Sequence, residues 1–499
     1  MPLRLWKITT KGEKDGMASQ GVTPRSEDYA RWYTDVVRKA DLADYAPVRG
    51  CMIIKPYGYE LWENIKAALD RRFKASGHKN AYFPLFIPMS FIQKEAEHVE
   101  GFKPELAVVT HGGGKELEEP LVVRPTSETI IGYSFAEWIQ SYRDLPLLIN
   151  QWANMVRWEL RPRLFLRTME FLWQEGHTAH ARKEEAEEET MRMLDIYADC
   201  AITEAAIPVI KGLKSVQEKF AGAEASYTIE AMMGNKWALQ SGTSHFLGQN
   251  FAKVFGIQYL DENNEQQLCW TTSWGVSTRM VGGVVMAHGD DKGLRLPPRI
   301  APIQVVIVPI WKTDEEKTLV METINELHAV LGAAGVRVHI DDRVGITPGF
   351  KFNDWEMRGV PLRMEVGPRE VEAGTAILVR RDTPGREGKQ SVSAADLVST
   401  VIQLLDSIQN NLLVQATAFR DANLHEAGSH EELKEIVNEG WALIWHCGTA
   451  ECENRIKEET KATSRCFPLD LNEEWHPKGK TCTVCGKPAQ GLAYFSRAY

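Results

Sequence analysis

The sequence predicts an α+β protein built on an antiparallel sheet, followed by a smaller α/β unit and a cysteine-bearing α+β unit. Three observations lead there. From residue 27 to about 299, strand-like runs neighbour one another with helices packed alongside. A proline-rich joint at 296–302 (LPPRIAP) is followed by strand and helix in alternation. Five of the eight cysteines then lie from Cys447 onward. The expected units are 23–300, 301–408 and 409–499, after a flexible start at 1–22.

In chain order, 58–73 repeats apolar residues at helical spacing (Leu61, Trp62, Ile65, Leu69, Phe73), and Gly77 supplies the stop. Residues 81–88 (AYFPLFIP) read as an edge strand that tolerates proline. Further strands are expected at 121–123, 153–159, 166–173, 236–240 and 268–273. The helices between them are 128–142 and the charged 183–200. Beyond the joint, strands are expected at 303–308, 336–340, 362–366 and 376–379. Helices are expected at 315–331, around 355–358, and at 394–409. No repeat or low-complexity tract interrupts the chain.

The 499 residues include 43% hydrophobic and 25% charged side chains, a soluble globular profile. No apolar run approaches the roughly 20 residues that span a bilayer, and the first residues lack the apolar core of a secretory signal. The chain therefore reads as cytoplasmic, with no membrane partner. Its 58 basic and 68 acidic side chains give a net charge of −10, which advertises no nucleic acid. Local basic clusters (Arg157, Arg161, Arg163 and Arg167; Arg358, Arg363 and Arg369) leave RNA binding open.

Several segments carry chemistry. Arg157 and Glu159 stand two apart on a strand and share a face. They fit a cross-strand ion pair on a solvated sheet, or an arginine for an anion beside an accepting carboxylate. Thr126-Ser127-Glu128 opens a helix and fits an N-cap, or a hydroxyl and carboxylate that accept from an ammonium group. Trp173, Glu175 and His177 share one strand face. Gln240-Ser241-Gly242-Thr243-Ser244-His245 is polar where an apolar strand ends. Such polar clusters after apolar strands point to a substrate site.

Cys447-x4-Cys452 and Cys482-x2-Cys485 are two short-spaced pairs. Four thiolates complete the closed tetrahedral shell of structural zinc, and Cys482-x2-Cys485-Gly486 has the form of a knuckle turn. Disulfides are disfavoured in a cytoplasmic chain. Cys51, Cys200, Cys269 and Cys466 read as buried thiols.

Together, these segments resemble the prolyl-tRNA synthetase family, in its archaeal and eukaryote-like form. The resemblance runs from about residue 26 to 499. It rests on phrases such as RPTSET, RWEL with FLRTMEFLWQEGH, QSGTSHFLGQNFAKVF, TSWGVSTR, HGDDKGLRLPPRIAP and FKFNDWEMRGVPLRMEVGPR. It implies a class II catalytic domain that activates L-proline with ATP and Mg2+, loads it onto tRNA(Pro), and works as a homodimer without DNA. Motif 1, the dimer element, maps to 58–73 with 81–88. Motif 2 maps to 157–173, and motif 3 to 275–279 with the helix after it.

By this resemblance Arg157 contacts the α-phosphate and the proline carboxylate. Arg279, with Ser277, holds the ATP phosphates from the other side. Glu159, Arg167, Thr168, Gln240 and Thr243 complete the ATP site. Thr126 and Glu128 accept from the imino group, while Trp173, Glu175, His177, His245 and Ser273 shape the ring pocket. The α/β unit resembles an anticodon-binding domain, with Lys351, Glu365 and Arg369 as candidate readers of guanine. Tyr499 is expected near the active site. The stretch 177–240 is too short for the editing domain that bacterial-type relatives carry. Rival readings are a class II enzyme for another amino acid, such as threonine or glycine, and a non-catalytic tRNA-binding paralogue. The FLWQEGH and TSHFLGQ phrases argue against the first. A paralogue without catalysis would be expected to lose Arg157 or Arg279, and both are present.

Overall fold

The computed structural model describes residues 21–98, 106–158, 161–472 and 474–499. The expected flexible start lies almost wholly outside the described residues; of its last two, Val22 packs into the main core.

The expected antiparallel sheet is present. Its strands in spatial order are Val209–Leu213, Ala225–Met232, Ala238–Gly248, Trp270–Ser277, Glu170–His180 and Leu147–Val156. All are paired antiparallel. The short Lys79–Asn80 strand is added parallel at the edge. Helices Pro56–Ala75 and Lys183–Thr203 contribute to the core on this sheet. The first begins with proline inside its first turn, and its Leu61, Trp62, Ile65, Leu69 and Phe73 are buried as the spacing predicts. The second starts with Glu184 and Glu185, which suit a helix N-terminus, and buries Met193, Leu194, Tyr197 and Ala201.

Several elements differ from the sequence expectation. Only Phe86–Pro88 of 81–88 is a strand. Pro84 has no N–H, and the N–H groups of Ala81 and Phe83 go instead to the Asn150 carbonyl and the Gln151 side chain. The strand expected at 166–173 begins at Glu170. A tight turn precedes it, with Phe165 at φ +63° and the Arg163 N–H on the Arg167 carbonyl. The strand expected at 153–159 is Leu147–Val156, and that at 236–240 is Ala238–Gly248. Buried polar residues such as Asn150 and Gln151 break the apolar run that the reading sought. The helix expected at 128–142 ends at Trp138, where Ile139 turns extended. Cys51 is half-buried, whereas Cys200, Cys269 and Cys466 are buried.

The α/β unit has five strands in the order Val338–Ile340, Val305–Pro309, Leu362–Val366, Thr375–Arg380, Lys389–Ser393. The first three are parallel and the last two antiparallel. Helix Leu397–Asp421 then runs unbroken through residue 408. The cysteine-bearing unit adds Leu424–Glu426, Trp441–His446, Gly491–Ser496 and Thr463–Pro468, and these strands join the main antiparallel sheet itself. At the seam Phe467 pairs with Leu213 and Pro468 with Gly212. Gly212 is required there, because a Cβ would stand 2.4 Å from the Cys466 sulfur.

Candidate active site and metal site

A cavity of about 630 Å3 opens between the strands of the catalytic sheet and the turn at 163–169. Thr126, Glu128, Arg157, Arg167, Thr168, Trp173, Glu175, His177, Gln240, Thr243, His245, Ser273, Ser277 and Arg279 all line it. Glu159 lies outside the described residues. The ladder explains the convergence. His245 stands opposite Ser273 and Thr243 opposite Gly275, while Ser273 also faces His177. Alternate residues of adjacent strands therefore point into one space.

One end is acidic and hydrogen-bonded. Glu175 is buried and accepts from Ser127 Oγ at 2.5 Å and from Gln151 Nε2 at 2.7 Å. Its other oxygen lies 3.2 Å from His177 Nε2. Burial opposes the Glu175 charge, yet the bonds from His177, Ser127 and Gln151 outweigh it and hold the carboxyl below its ordinary range. Burial likewise opposes a charged His177, but Glu175 raises its pKa above the ordinary value. Thr126 Oγ1 donates to Glu128.

The other end is basic. Arg279 is the first residue of helix Arg279–His288, where the helix dipole disfavours a cation. Burial, then the charges of Arg157 and Arg167, bring its pKa down to about 10. Its Nε donates to the Leu166 carbonyl at 3.2 Å, and its backbone N–H lies 3.2 Å from Ser277 Oγ. Arginines that repel one another at a helix N-terminus are a binding site for a polyanion.

Arg157 stands between the two ends. Its guanidinium lies 5.3 Å from the Trp173 ring and 5.6 Å from Phe171, and Nε is anchored on the Pro125 carbonyl at 3.0 Å. The side chain is exposed to the cavity that it lines. Enclosure lowers its pKa, while Glu128 and Glu175 pull it back up.

His245 forms part of the wall. Its Nδ1 is 2.8 Å from Ser226 Oγ, and its ring lies 4.8 Å from Phe220. Burial, helped by the charges of His177 and Lys214, brings its pKa down to about 3, so the ring is neutral. Ser273 Oγ and Trp173 Nε1 are buried without a protein partner. Such orphaned donors in a cavity wall are available to a bound molecule.

The sequence reading missed Lys214, Glu218, Phe220 and Ser226, which also line the cavity. They come from 214–226, which has no local motif. Tyr499 does not line the cavity but packs on the turn that carries Arg167. Its ring lies under the Arg163 guanidinium at 5.6 Å and beside Trp237 at 5.3 Å.

In the α/β unit, Lys351 is buried and donates to the Asp341 carbonyl at 2.8 Å. Glu365 is held by Arg363 and Lys389, at 2.9 and 2.8 Å. Arg369 stands exposed on helix Pro368–Ala373. For Lys351 or Glu365 to read a base, these internal partners must be exchanged.

The thiols of Cys447, Cys452 and Cys482 and a ring nitrogen of His446 lie within 4.8 Å of one another. Cys485 Sγ is 3.8 Å from Cys447 Sγ. Gly486 takes φ +72°, and the amides of Val484 and Cys485 point at the Cys482 sulfur, as a knuckle turn requires. These donors fit a soft, tetrahedral metal such as zinc. His446 is the addition to the expected set. Its Nδ1 already accepts from the Gly448 N–H at 3.0 Å, while its Nε2 is buried without a partner.

Among the described residues no helix is long and apolar enough to cross a membrane. Comparison with known proteins agrees with the geometry. Residues 108–288 match the tRNA synthetase class II core domain (G, H, P, S and T). Residues 304–404 match the anticodon binding domain and 430–499 the prolyl-tRNA synthetase C-terminal domain. The chain is 56% identical to the chloroplastic/mitochondrial proline–tRNA ligase of Arabidopsis thaliana, over 98% of this chain and 91% of the relative. It is 55% identical to the proline–tRNA ligase of Roseiflexus castenholzii, over 97% of this chain and 100% of the relative. A crystal structure of prolyl-tRNA synthetase from Cryptosporidium parvum, complexed with halofuginone and AMPPNP, has a TM-score of 0.90 at 40% identity and covers 97% of this chain and 98% of that one. The chain belongs to the prolyl-tRNA synthetase family of class II aminoacyl-tRNA synthetases.

Proposed function

We propose that the chain activates L-proline with MgATP to prolyl-adenylate and transfers it to the 3′ end of tRNA(Pro). The observation that carries this reading is the position of Arg157, with Glu128 and Glu175 on one side and Arg279 on the other. A zwitterion and a polyanion fit side by side in that order. The imino group faces the carboxylate end, the triphosphate faces the arginines, and Arg157 spans the junction.

In the first step a proline carboxylate oxygen attacks the α-phosphorus, and the bond to the pyrophosphate oxygen breaks. Both reactants are anionic, so positioned cations lower the barrier more than a base would. Arg157 neutralises the two groups as they meet, and Arg279 and Arg167 take the triphosphate. Magnesium is taken to arrive with the nucleotide as part of the substrate. Thr168, Gln240, Thr243 and Ser277 are assigned to the nucleotide as well. Thr126, Glu128, Trp173, Glu175, His177, His245 and Ser273 are assigned to proline. In the second step the terminal ribose hydroxyl attacks the carbonyl carbon and AMP leaves. The phosphate of AMP takes the proton, and no side-chain base is assigned.

The 301–408 unit, with Lys351, Glu365 and Arg369, is proposed to bind the anticodon, and the 409–499 unit to hold zinc through Cys447, Cys452, Cys482 and Cys485. A homodimer through 58–73 and 81–88, in the cytoplasm, completes the reading. The test is ATP–pyrophosphate exchange across the amino acids, followed by aminoacylation of tRNA(Pro). Proline-dependent exchange is expected. Exchange driven by threonine or glycine instead, or by none, would overturn the assignment.

A further inference from the structure

Residues 214–224 link strands Val209–Leu213 and Ala225–Met232, and their 214–221 part supplies one wall of the cavity through Lys214, Glu218 and Phe220. The position of this wall matters to the amino-acid end, because Phe220 lies against the His245 ring. The Phe220 N–H also donates to Ser226 Oγ at 3.0 Å, the same oxygen that meets His245.

The segment is fastened from outside the catalytic unit. Ser215 Oγ donates to Glu453 Oε2 at 2.9 Å, in a buried contact. Gln217 Nε2 donates to Asn454 Oδ1 at 2.7 Å, and Arg465 lies 3.5 Å from Glu218. Glu453 and Asn454 belong to helix Ala450–Thr460, and Arg465 to strand Thr463–Pro468. Ser215 Oγ also accepts the Glu218 N–H at 3.3 Å, so the same hydroxyl sets the turn that leads to Phe220.

Glu453 is an expensive choice for a purely structural contact. It is 4% exposed, and its Oε1 has no partner. An apolar side chain would bury at lower cost. What the carboxylate supplies is a directional acceptor for Ser215.

We propose that the C-terminal unit latches the 214–221 wall, with Glu453 acting as a positioning residue for amino-acid binding through Ser215. The inference rests on the functional reading above. A loosened wall would weaken capture of the amino acid and leave the nucleotide end untouched.

The test uses the full chain with Ser215→Ala, Glu453→Ala, the double variant and Glu453→Gln, which keeps an acceptor. In pyrophosphate exchange each alanine variant is expected to raise KM for proline by up to about tenfold, the scale of one lost buried hydrogen bond, with KM for ATP unchanged. The double variant should match Ser215→Ala, because that substitution already removes the contact to Glu453 together with the Glu218 N–H bond. Glu453→Gln should restore most of the affinity. Amides of 216–221 should exchange hydrogen faster in the alanine variants. Ser215→Ala leaves the C-terminal unit whole and carries the test if Glu453→Ala does not fold. Unchanged proline KM in Ser215→Ala, an equal rise in ATP KM, or multiplicative single effects would overturn the latch. Absence of proline-dependent exchange in the unaltered chain would sink the functional reading instead, and unaltered exchange at 216–221 would then overturn the latch independently.

Discussion

Glu175 and His177 meet at 3.2 Å on the cavity face of one strand, two residues apart, with Ser127 and Gln151 occupying the opposite carboxylate oxygen. Because Glu175 is held below its ordinary range, its contribution is present above the unfolded value of roughly 4.3 and is lost as pH falls through the folded pKa. Because His177 is raised, its contribution is complete below roughly 6.5 and is lost as pH rises through the folded pKa. The charged pair is therefore strongest in mildly acidic solution and fades on the alkaline side. Histidine NMR should show His177 titrating above 6.5, with Glu175→Gln bringing it down. His245 should stay neutral across the same range. A His177 midpoint below 6.5 in the unaltered chain would contradict the pairing.

Arg157→Ala should reduce proline-dependent exchange at least about a hundredfold, since preorganised charge at such a centre is worth several kcal/mol. The side chain packs against Phe171 and Trp173 rather than within the main core, so the melting temperature should barely move. Exchange within about tenfold of the unaltered chain would remove Arg157 from its assigned role.

Elemental analysis of freshly purified protein should find one zinc per chain. Cys482→Ser or a strong chelator should loosen the unit that carries helix Ala450–Thr460. Cys485→Ser and His446→Ala separate the two candidate quartets: zinc content should fall with the first and persist in the second. The reverse pattern would put His446 in the shell.

Deleting Tyr499 should lower the exchange rate, because its ring supports Arg163 on the turn that also presents Arg167. An unchanged rate would show that the contact is idle.

Alanine should be activated by this site and should not be removed by it. A pocket shaped for a pyrrolidine ring has nothing to clash with a smaller side chain. It can only forgo burial of the absent methylenes, about 1–3 kcal/mol each. Residues between His177 and Gln240 form helix Lys183–Thr203, strands of the main sheet and the links between them, and none is a separate folded unit that could hold an editing site. Alanyl-tRNA(Pro) should deacylate equally with and without the enzyme; enzyme-dependent hydrolysis would reveal a correcting site.

Elements whose apolar residues keep a helical or strand period were legible in the sequence. Pro56–Ala75 and Leu362–Val366 sit where the spacing placed them. The strands that build the cavity were displaced in the reading because they bury Asn150, Gln151, Glu175 and His177. A sheet devoted to a polar ligand hides its own periodicity. Of the site residues, those in compact phrases such as FLWQEGH were named in advance, whereas Lys214, Glu218 and Phe220 were not. Their place in the wall follows from contacts to Glu453 and Arg465, more than 230 residues away. His446 escaped for a different reason: it adjoins Cys447 but falls outside the cysteine spacing that was searched.

The seam between Val209–Leu213 and Thr463–Pro468 bears on how such a chain can change over generations. A module joined by a linker can be exchanged by recombination, because the cut leaves both halves complete. Here a crossover between 213 and 463 that imported a foreign C-terminal unit would have to match a strand register, a glycine at 212 and a buried sulfur at 466. A mismatch leaves the Val209–Leu213 strand with an open edge, which invites aggregation. The C-terminal unit and the catalytic sheet are therefore bound to be inherited together, and substitutions on one side of the seam should find their compensations on the other.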